Sequence, residues 1–232
     1  AQMLKANGKY EEANKQMQKF AAAAPSDNRA KAFKENPNYI PRLLDKTKLY
    51  NVNASDISSD KSDFAAVLYD NSLYFASARN GARKNYGWTD EPFLDIYKAD
   101  YNADGTITNA ATVTELNSKW NDGPITISTD GNTAYLASES FKEKEFEKDK
   151  KNNARFSQVY LFKATKNGST WGDITELPFN DKTFSNSNPS LSRDGKTLYF
   201  SSNRPGSVGG VDIWKVAINA DGTYGEPQNL GN

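Results

Sequence analysis

Histidine and cysteine are both absent from the 232-residue chain. That removes the commonest general base near neutral pH, the commonest transition-metal ligand and any thiol nucleophile. A Ser-His-Asp triad cannot be assembled, and no acid pair stands out among the 29 Asp and Glu residues. Two charge pairs do recur in a pattern, Arg79 with Asp95 and Arg204 with Asp212. An Arg fork can hold a carboxylate through two hydrogen bonds, so structural ion pairs Arg79–Asp95 and Arg204–Asp212 are expected. In the segment between them Ser140 and Tyr160 take both places. Joint loss fits pairing, because a lone charge left half-buried costs about 3–5 kcal/mol. Another group, Arg83, Lys84, Tyr86 and Trp88, shares one loop. Trp, Tyr and Arg carry much of the binding energy at protein interfaces, which makes this the candidate partner-binding loop. Trp88 plugging a channel or packing on its own sheet is the alternative.

No other cluster suggests chemistry. The Asp-Gly pairs sit in turns and lack the acid spacing of a calcium loop. The glycines of RPGSVGG (204–210) are not followed by a helix that would hold phosphate. The expectation is a chain that is not an enzyme, with no catalytic residues, no metal ligands and no cofactor.

These residues are positioned by a repeat. YDNSLYFASAR (69–79), TDGNTAYLASES (129–140) and RDGKTLYFSSNR (193–204) align, each a turn followed by a strand. A short strand with Val67, Ile127 or Leu191 precedes each. LDIYKAD (94–100), YLFKAT (160–165) and VDIWKVA (211–217) follow after loops of variable length. Hairpin turns come next, NADGT at 102–106 and 219–223 and KNGS at 166–169; in Asp-Gly and Asn-Gly turns both central residues are expected at positive φ. Last strands are expected over 112–116, 174–177 and 227–230. Four short antiparallel strands per repeat of about 60 residues predict blades of a β-propeller. Residues 49–52 are expected to add an outer strand to a closing blade. The long loops, 80–93 and 141–156, lie on one face of such a propeller, where binding residues concentrate. The second loop, KEKEFEKDKK (142–151), alternates charge and reads as a solvated loop or short helix.

The amino-terminal residues read as helix. Ala1, Leu4, Gly8, Ala13, Met17, Phe20 and Pro25 have the spacing of a two-helix hairpin, with Met17 and Phe20 on one face. Pro25, Ser26 and Asp27 stop one helix and cap the next. The fold class is therefore mainly β: a partial β-propeller of three four-stranded blades preceded by an α-helical hairpin. The domains are 1–46, the end of a helical repeat region, and 47–232, the blades.

The helical spacing resembles the tetratricopeptide repeat. SSNRPGSVGGVDIWKV (201–216), after DGKTLYF, resembles the PD40-type, WD40-like propeller repeat. That repeat occurs in the periplasmic Tol-system propeller and in Bacteroidota outer-membrane lipoproteins of the OmpA family. A helix pair leading into KSDFAAVLYDNSLYFASAR (61–79) and then EPFLDIY (91–97) is similar to the PorE-type architecture of type IX secretion. The resemblance implies a periplasmic, outer-membrane-associated scaffold, lipidated on a Cys upstream of this chain. Its partners would be outer-membrane or secretion-system proteins, with peptidoglycan held by a domain outside residues 1–232. A Tol-type or a glycan- or peptide-binding propeller is the alternative; the Tol-type propeller follows a different, α/β domain. Because three blades do not close a ring, the chain is expected to be a portion of a longer protein. With 29 Lys or Arg against 29 acids, nothing attracts nucleic acid. No apolar run is long enough to span a bilayer.

Overall fold

The computed structural model describes residues 1–45, 50, 52–151 and 153–231. The chain divides into two compact units, Ala1–Asn53 and Ala54–Asn232. In the first, α1 (Gln2–Ala6), α2 (Tyr10–Ala23), α3 (Asn28–Glu35) and α4 (Ile40–Leu44) follow one another. Asp27 caps α3, its carboxylate accepting from Arg29 N at 2.8 Å, which answers one of the orphan amides of a first turn. Met17 and Phe20 of α2 pack on buried Ala21, Ala30 and Phe33. No described helix is long and apolar enough to cross a membrane.

The second unit is built from antiparallel sheets. The first sheet comprises β1 (Asp63–Tyr69), β2 (Ser72–Ser77), β5 (Asp95–Tyr101) and β6 (Ile107–Thr112), with β3 (Asn85–Tyr86) and β4 (Glu91–Pro92) forming a small ribbon in its long loop. The second comprises β7 (Asp122–Ile127), β8 (Thr133–Glu139), β11 (Val159–Asn167) and β12 (Thr170–Glu176); its loop holds β9 (Glu147–Asp149) and β10 (Ala154–Phe156). The third comprises β13 (Asn186–Leu191), β14 (Thr197–Ser202), β15 (Asp212–Ala217) and β16 (Gln228–Asn229). Each runs up and down in chain order, so its first strand is an edge, and β7 packs beside both β1 and β13. Of the expected outer strand at 49–52, residues 49 and 51 lie outside the described residues, as does Lys46. Tyr50 and Val52 are exposed and not in a strand.

Alternation along the strands fills the spaces between sheets. Leu136, Tyr160 and Phe162 meet Tyr74 and Ile96 of the first sheet. Tyr135 and Leu161, one residue out of phase, meet Leu198, Phe200 and Trp214 of the third. The second sheet is thus buried on both faces, and each large side chain removed from water contributes about 1.5–3 kcal/mol. Where the first two sheets meet at their turns, a Cβ on Gly131 would lie 1.9 Å from the Tyr69 hydroxyl, and Gly131 has φ +72°. Only glycine fits there. The Asp-Gly turns put only glycine at positive φ, at Gly105, Gly131, Gly195 and Gly222; both central residues are positive at Asp70-Asn71 instead. The Asp side chains explain the difference: Asp104 and Asp221 accept from the amide and hydroxyl of Thr106 and Thr223, an Asx geometry that keeps the aspartate right-handed.

A polar clasp ties the edge strand of every sheet to its neighbour. Ser77 Oγ donates to Asp63 Oδ1 at 2.6 Å, and Ser138 Oγ donates to Asp122 Oδ1 at 2.6 Å. The third sheet has Asn186 in the acid's place. There Arg204 bridges, donating from Nε to Ser202 Oγ at 3.2 Å and from its terminal nitrogen to Asn186 Oδ1 at 3.0 Å. Arg79 does the same in the first sheet, reaching Ser77 at 2.8 Å and Asp63 at 2.7 Å. Each guanidinium also lies over the rings of its own second and third strands, Phe75 and Tyr97 or Phe200 and Trp214. The second sheet has no Arg; Lys142 lies 4.5 Å over the ring of Phe162, the counterpart of Tyr97 and Trp214.

The expected pairs Arg79–Asp95 and Arg204–Asp212 do not form. A guanidinium stacked on those rings, with Nε on the serine two residues back, aims its terminal nitrogen at the edge strand. The backbone carbonyl of Ile57 accepts there from Arg79 as well, and that of Phe179 from Arg204. Asp95 is held by Arg83 and by Asn80 at 2.8 Å. Asp212 accepts from Val208 N and Asn229 Nδ2, both at 2.7 Å.

The clasps differ electrostatically. Burial raises the Asp63 carboxyl, but hydrogen bonds from Ser77, Arg79 and Ser59 outweigh it and hold the pKa at about 2. Asp122 is 0% exposed. Burial lifts it to about 6, against the hydrogen bonds of Ser138 and Ser118. A folded-state pKa raised above the unfolded value means that the native state binds the extra proton, so stability falls as pH rises from roughly 4 to 6, by something on the order of 3 kcal/mol. Asp122→Asn, which copies the third sheet, lacks that loss. Denaturant unfolding at pH 4 and pH 7 should show the variant gaining on the wild type across the interval; a pH-independent difference would contradict the assignment.

Candidate functional site

The two long loops lie at the same end of the sheets. The first begins at an anchor: Arg83 Nε donates to Asp95 Oδ2 at 3.0 Å, and its terminal nitrogen pairs with Oδ1. Asp95 is 1% exposed, so Arg83 neutralises a buried charge. Arg83 therefore belongs to the support of the loop, a correction to its expected place on the binding surface. Beyond it β3 and β4 pair, carrying Tyr86 and Glu91 opposite each other. Lys84 and Tyr86 are exposed, and Trp88 at the tip is 87% exposed. Trp88 neither plugs a channel nor packs on its sheet.

Rings connect the two loops. Tyr86 meets Phe93 at 6.1 Å, Phe93 meets Trp120 at 6.0 Å, Trp120 stacks on Phe141 at 4.5 Å, and Phe141 meets Phe146 at 5.4 Å. Such pairs contribute about 0.5–1.5 kcal/mol beyond their burial. The second loop is correspondingly more ordered than a solvated stretch. A 3-10 turn spans Ser140–Glu143, and β9 pairs with β10. Lys142 is half-buried, and burial lowers its pKa despite the pull of Asp122. Charge alternation concealed these anchors, because Phe146 and Lys142 sit among exposed Glu and Lys.

A cavity of about 350 Å³ opens beside Tyr86, where the edge strands converge. Phe64, Gly123, Pro124, Ser187 and Asn188 reach it from β1, β7 and β13, Tyr86 and Glu91 from the first loop, and Glu139 from the end of β8. Each edge strand has a bulge here, between Phe64 and Val67, Asp122 and Ile125, and Ser187 and Ser190. Bulges re-aim side chains. Glu139 is 9% exposed, and its Oε1 accepts from Asn121 Nδ2 at 2.7 Å. Asn121 is itself fixed, its Oδ1 accepting from Leu94 N at 2.9 Å. Burial pushes the Glu139 carboxyl up, with the Asn121 bond opposing. Glu91 accepts from Ser62 Oγ at 2.5 Å. Of the expected loop residues only Tyr86 lines the cavity. Glu91, Glu139, Asn121 and Phe64 were not singled out in the sequence, where single acids and an Asn at strand ends carry no distinguishing spacing.

No family model matches this sequence, and no curated protein matches it. Several solved structures resemble it. A Mycobacterium tuberculosis puromycin-hydrolyzing peptidase is 12% identical with a TM-score of 0.43, over 76% of this chain and 23% of that one. The Pseudomonas aeruginosa periplasmic gluconolactonase PpgL is 13% identical with a TM-score of 0.31, over 70% of this chain and 55% of that one. The chain thus spans about a quarter and about half of those proteins' lengths. Both are enzymes by name, which stands against the expectation that the chain is not an enzyme. The physical flaw was to equate acid–base capacity with histidine. A buried carboxyl such as Asp122, at about 6, titrates in the same range.

Because Arg83 neutralises a buried carboxylate and Trp88 touches little, their substitutions should separate. Arg83→Ala is expected to cost about 3–5 kcal/mol in urea unfolding, and Trp88→Ala less than about 0.5 kcal/mol. Equal effects would contradict these roles.

Proposed function

We propose that the three sheets are consecutive blades of a PD40-type β-propeller and that the chain is a protein-docking module whose partner seats on the long-loop end. The observation that carries this is the exposed Trp88, held out on an anchored ribbon beside a cavity that all three sheets line. Rigid support beneath an exposed aromatic lowers the ordering cost of binding. The propeller reading is supported by the repeated clasp and by the adjoining edge strands. It is also supported by apolar side chains left in solvent on the flanking sheets: Leu68 and Phe64 on the first, and Val211, Ile213 and Leu230 on the third. Faces of this kind mark surfaces that another layer covers.

The resemblance to PorE-type proteins gives the docking module its setting. The helices of the first unit would be the end of a tetratricopeptide region. The partner would be an outer-membrane or secretion-system protein on the periplasmic side, and a further domain would hold peptidoglycan. A photo-crosslinking residue at position 88 of the full-length protein in cells, compared with one at Asp221 in a turn at the other end, tests the docking face. One defined adduct from position 88 and none from 221 is expected. Equal labelling from both, or none from 88, would sink the proposal.

A further inference from the structure

The cavity beside Tyr86 has a marked charge imbalance. Its lining includes two carboxylates, Glu91 and Glu139, and no Lys or Arg. Among the described residues neither acid takes part in an ion pair. Lys61, which feels the charge of Glu91, is bound to Asp60 at 3.0 Å. Glu139 is nine-tenths buried, yet among the described residues only one of its oxygens has a partner, the neutral amide of Asn121. A largely buried carboxylate with no ion-pair partner costs free energy that a cation would return. This contrasts with Asp95, also a buried acid, which the chain supplies with Arg83.

The rest of the lining narrows the kind of cation. Phe64 and Tyr86 contribute aromatic rings to the lining, and Leu94, Pro92, Pro124 and Val159 contribute apolar wall. Rings attract organic cations, and apolar walls suit the alkyl stem of a long side chain. A hydrated metal ion would instead need a shell of oxygen ligands, and no group of three or more acids is gathered among the described residues. The volume, about 350 Å³, is at the small end of ligand sites and matches one inserted side chain.

Building on the docking role above, we infer that this cavity receives an Arg or Lys side chain of the protein partner, with Glu139 and Glu91 as its counter-ions. Acetyl-arginine amide and its uncharged citrulline analogue, titrated into the whole chain and followed by backbone amide NMR shifts, test this directly. The arginine compound should give saturable shifts at Leu94, Asn121 and Glu139, and the citrulline compound none. Glu139→Gln should weaken the arginine binding roughly tenfold or more. Glu91→Gln, on the loop ribbon and outside the sheet cores, gives the same readout should the first variant fold poorly. Equal shifts from both compounds, binding unchanged in both variants, calcium chloride producing the arginine pattern, or no saturable shift would each overturn the inference. Docking itself is read separately by crosslinking from position 88, so an adduct there without arginine binding would refute the cavity's role alone.

Discussion

The clasp between edge strand and second strand is the constraint on which the rest of this structure depends. A serine at the end of the second strand, an acid or amide on the edge strand and a cation over the third strand's ring recur in all three sheets, with different residues filling the roles. Edge strands are exposed to slippage, since moving register by one residue would turn every side chain to the wrong face. A polar bond next to a bulge pins that register, because only one alignment brings donor and acceptor together. The bulge then turns the edge strand toward the place where the three sheets meet.

The cavity is a consequence of that geometry. Because each bulge follows its clasp, Phe64, Gly123 and Asn188 arrive at one place from three sheets. The first loop is fixed by a separate ion pair, Arg83 with Asp95, and the ring series from Tyr86 to Phe146 joins it to the second loop. A buried acid satisfied within the chain, by a cation at Asp95 or by serines at Asp122, builds the support, whereas Glu139, with one oxygen bonded to a neutral amide, faces the opening. That contrast between Asp95 and Glu139 distinguishes scaffold from binding surface better than residue type does.

Much of the architecture was legible as period and punctuation. The turn sequences and aligned strands gave the sheets their order, because alternation and Asx chemistry are local. Asp27 as a helix cap was legible for the same reason. The ion pairs were not. Arg79 and Asp95 vary together along the sequence, yet each is held by a different group, Arg79 by Asp63 and Asp95 by Arg83. Covariation between two of three repeats cannot rank several acceptors on one face, and ring stacking chose among them. The cavity acids were hidden for a related reason: Glu91 and Glu139 come together only through folding, from a loop ribbon and a strand end in different sheets.

A double-mutant cycle across the clasp tests this account most directly. Asp63→Asn, Arg79→Met and the double variant, unfolded in urea alongside the wild type, isolate the coupling between the two side chains. The clasp predicts a favourable coupling of about 1–3 kcal/mol that shrinks as pH falls toward the Asp63 pKa of about 2. Additive single effects, with coupling below about 0.3 kcal/mol at neutral pH, would show that the contact is incidental and that register is held by packing alone.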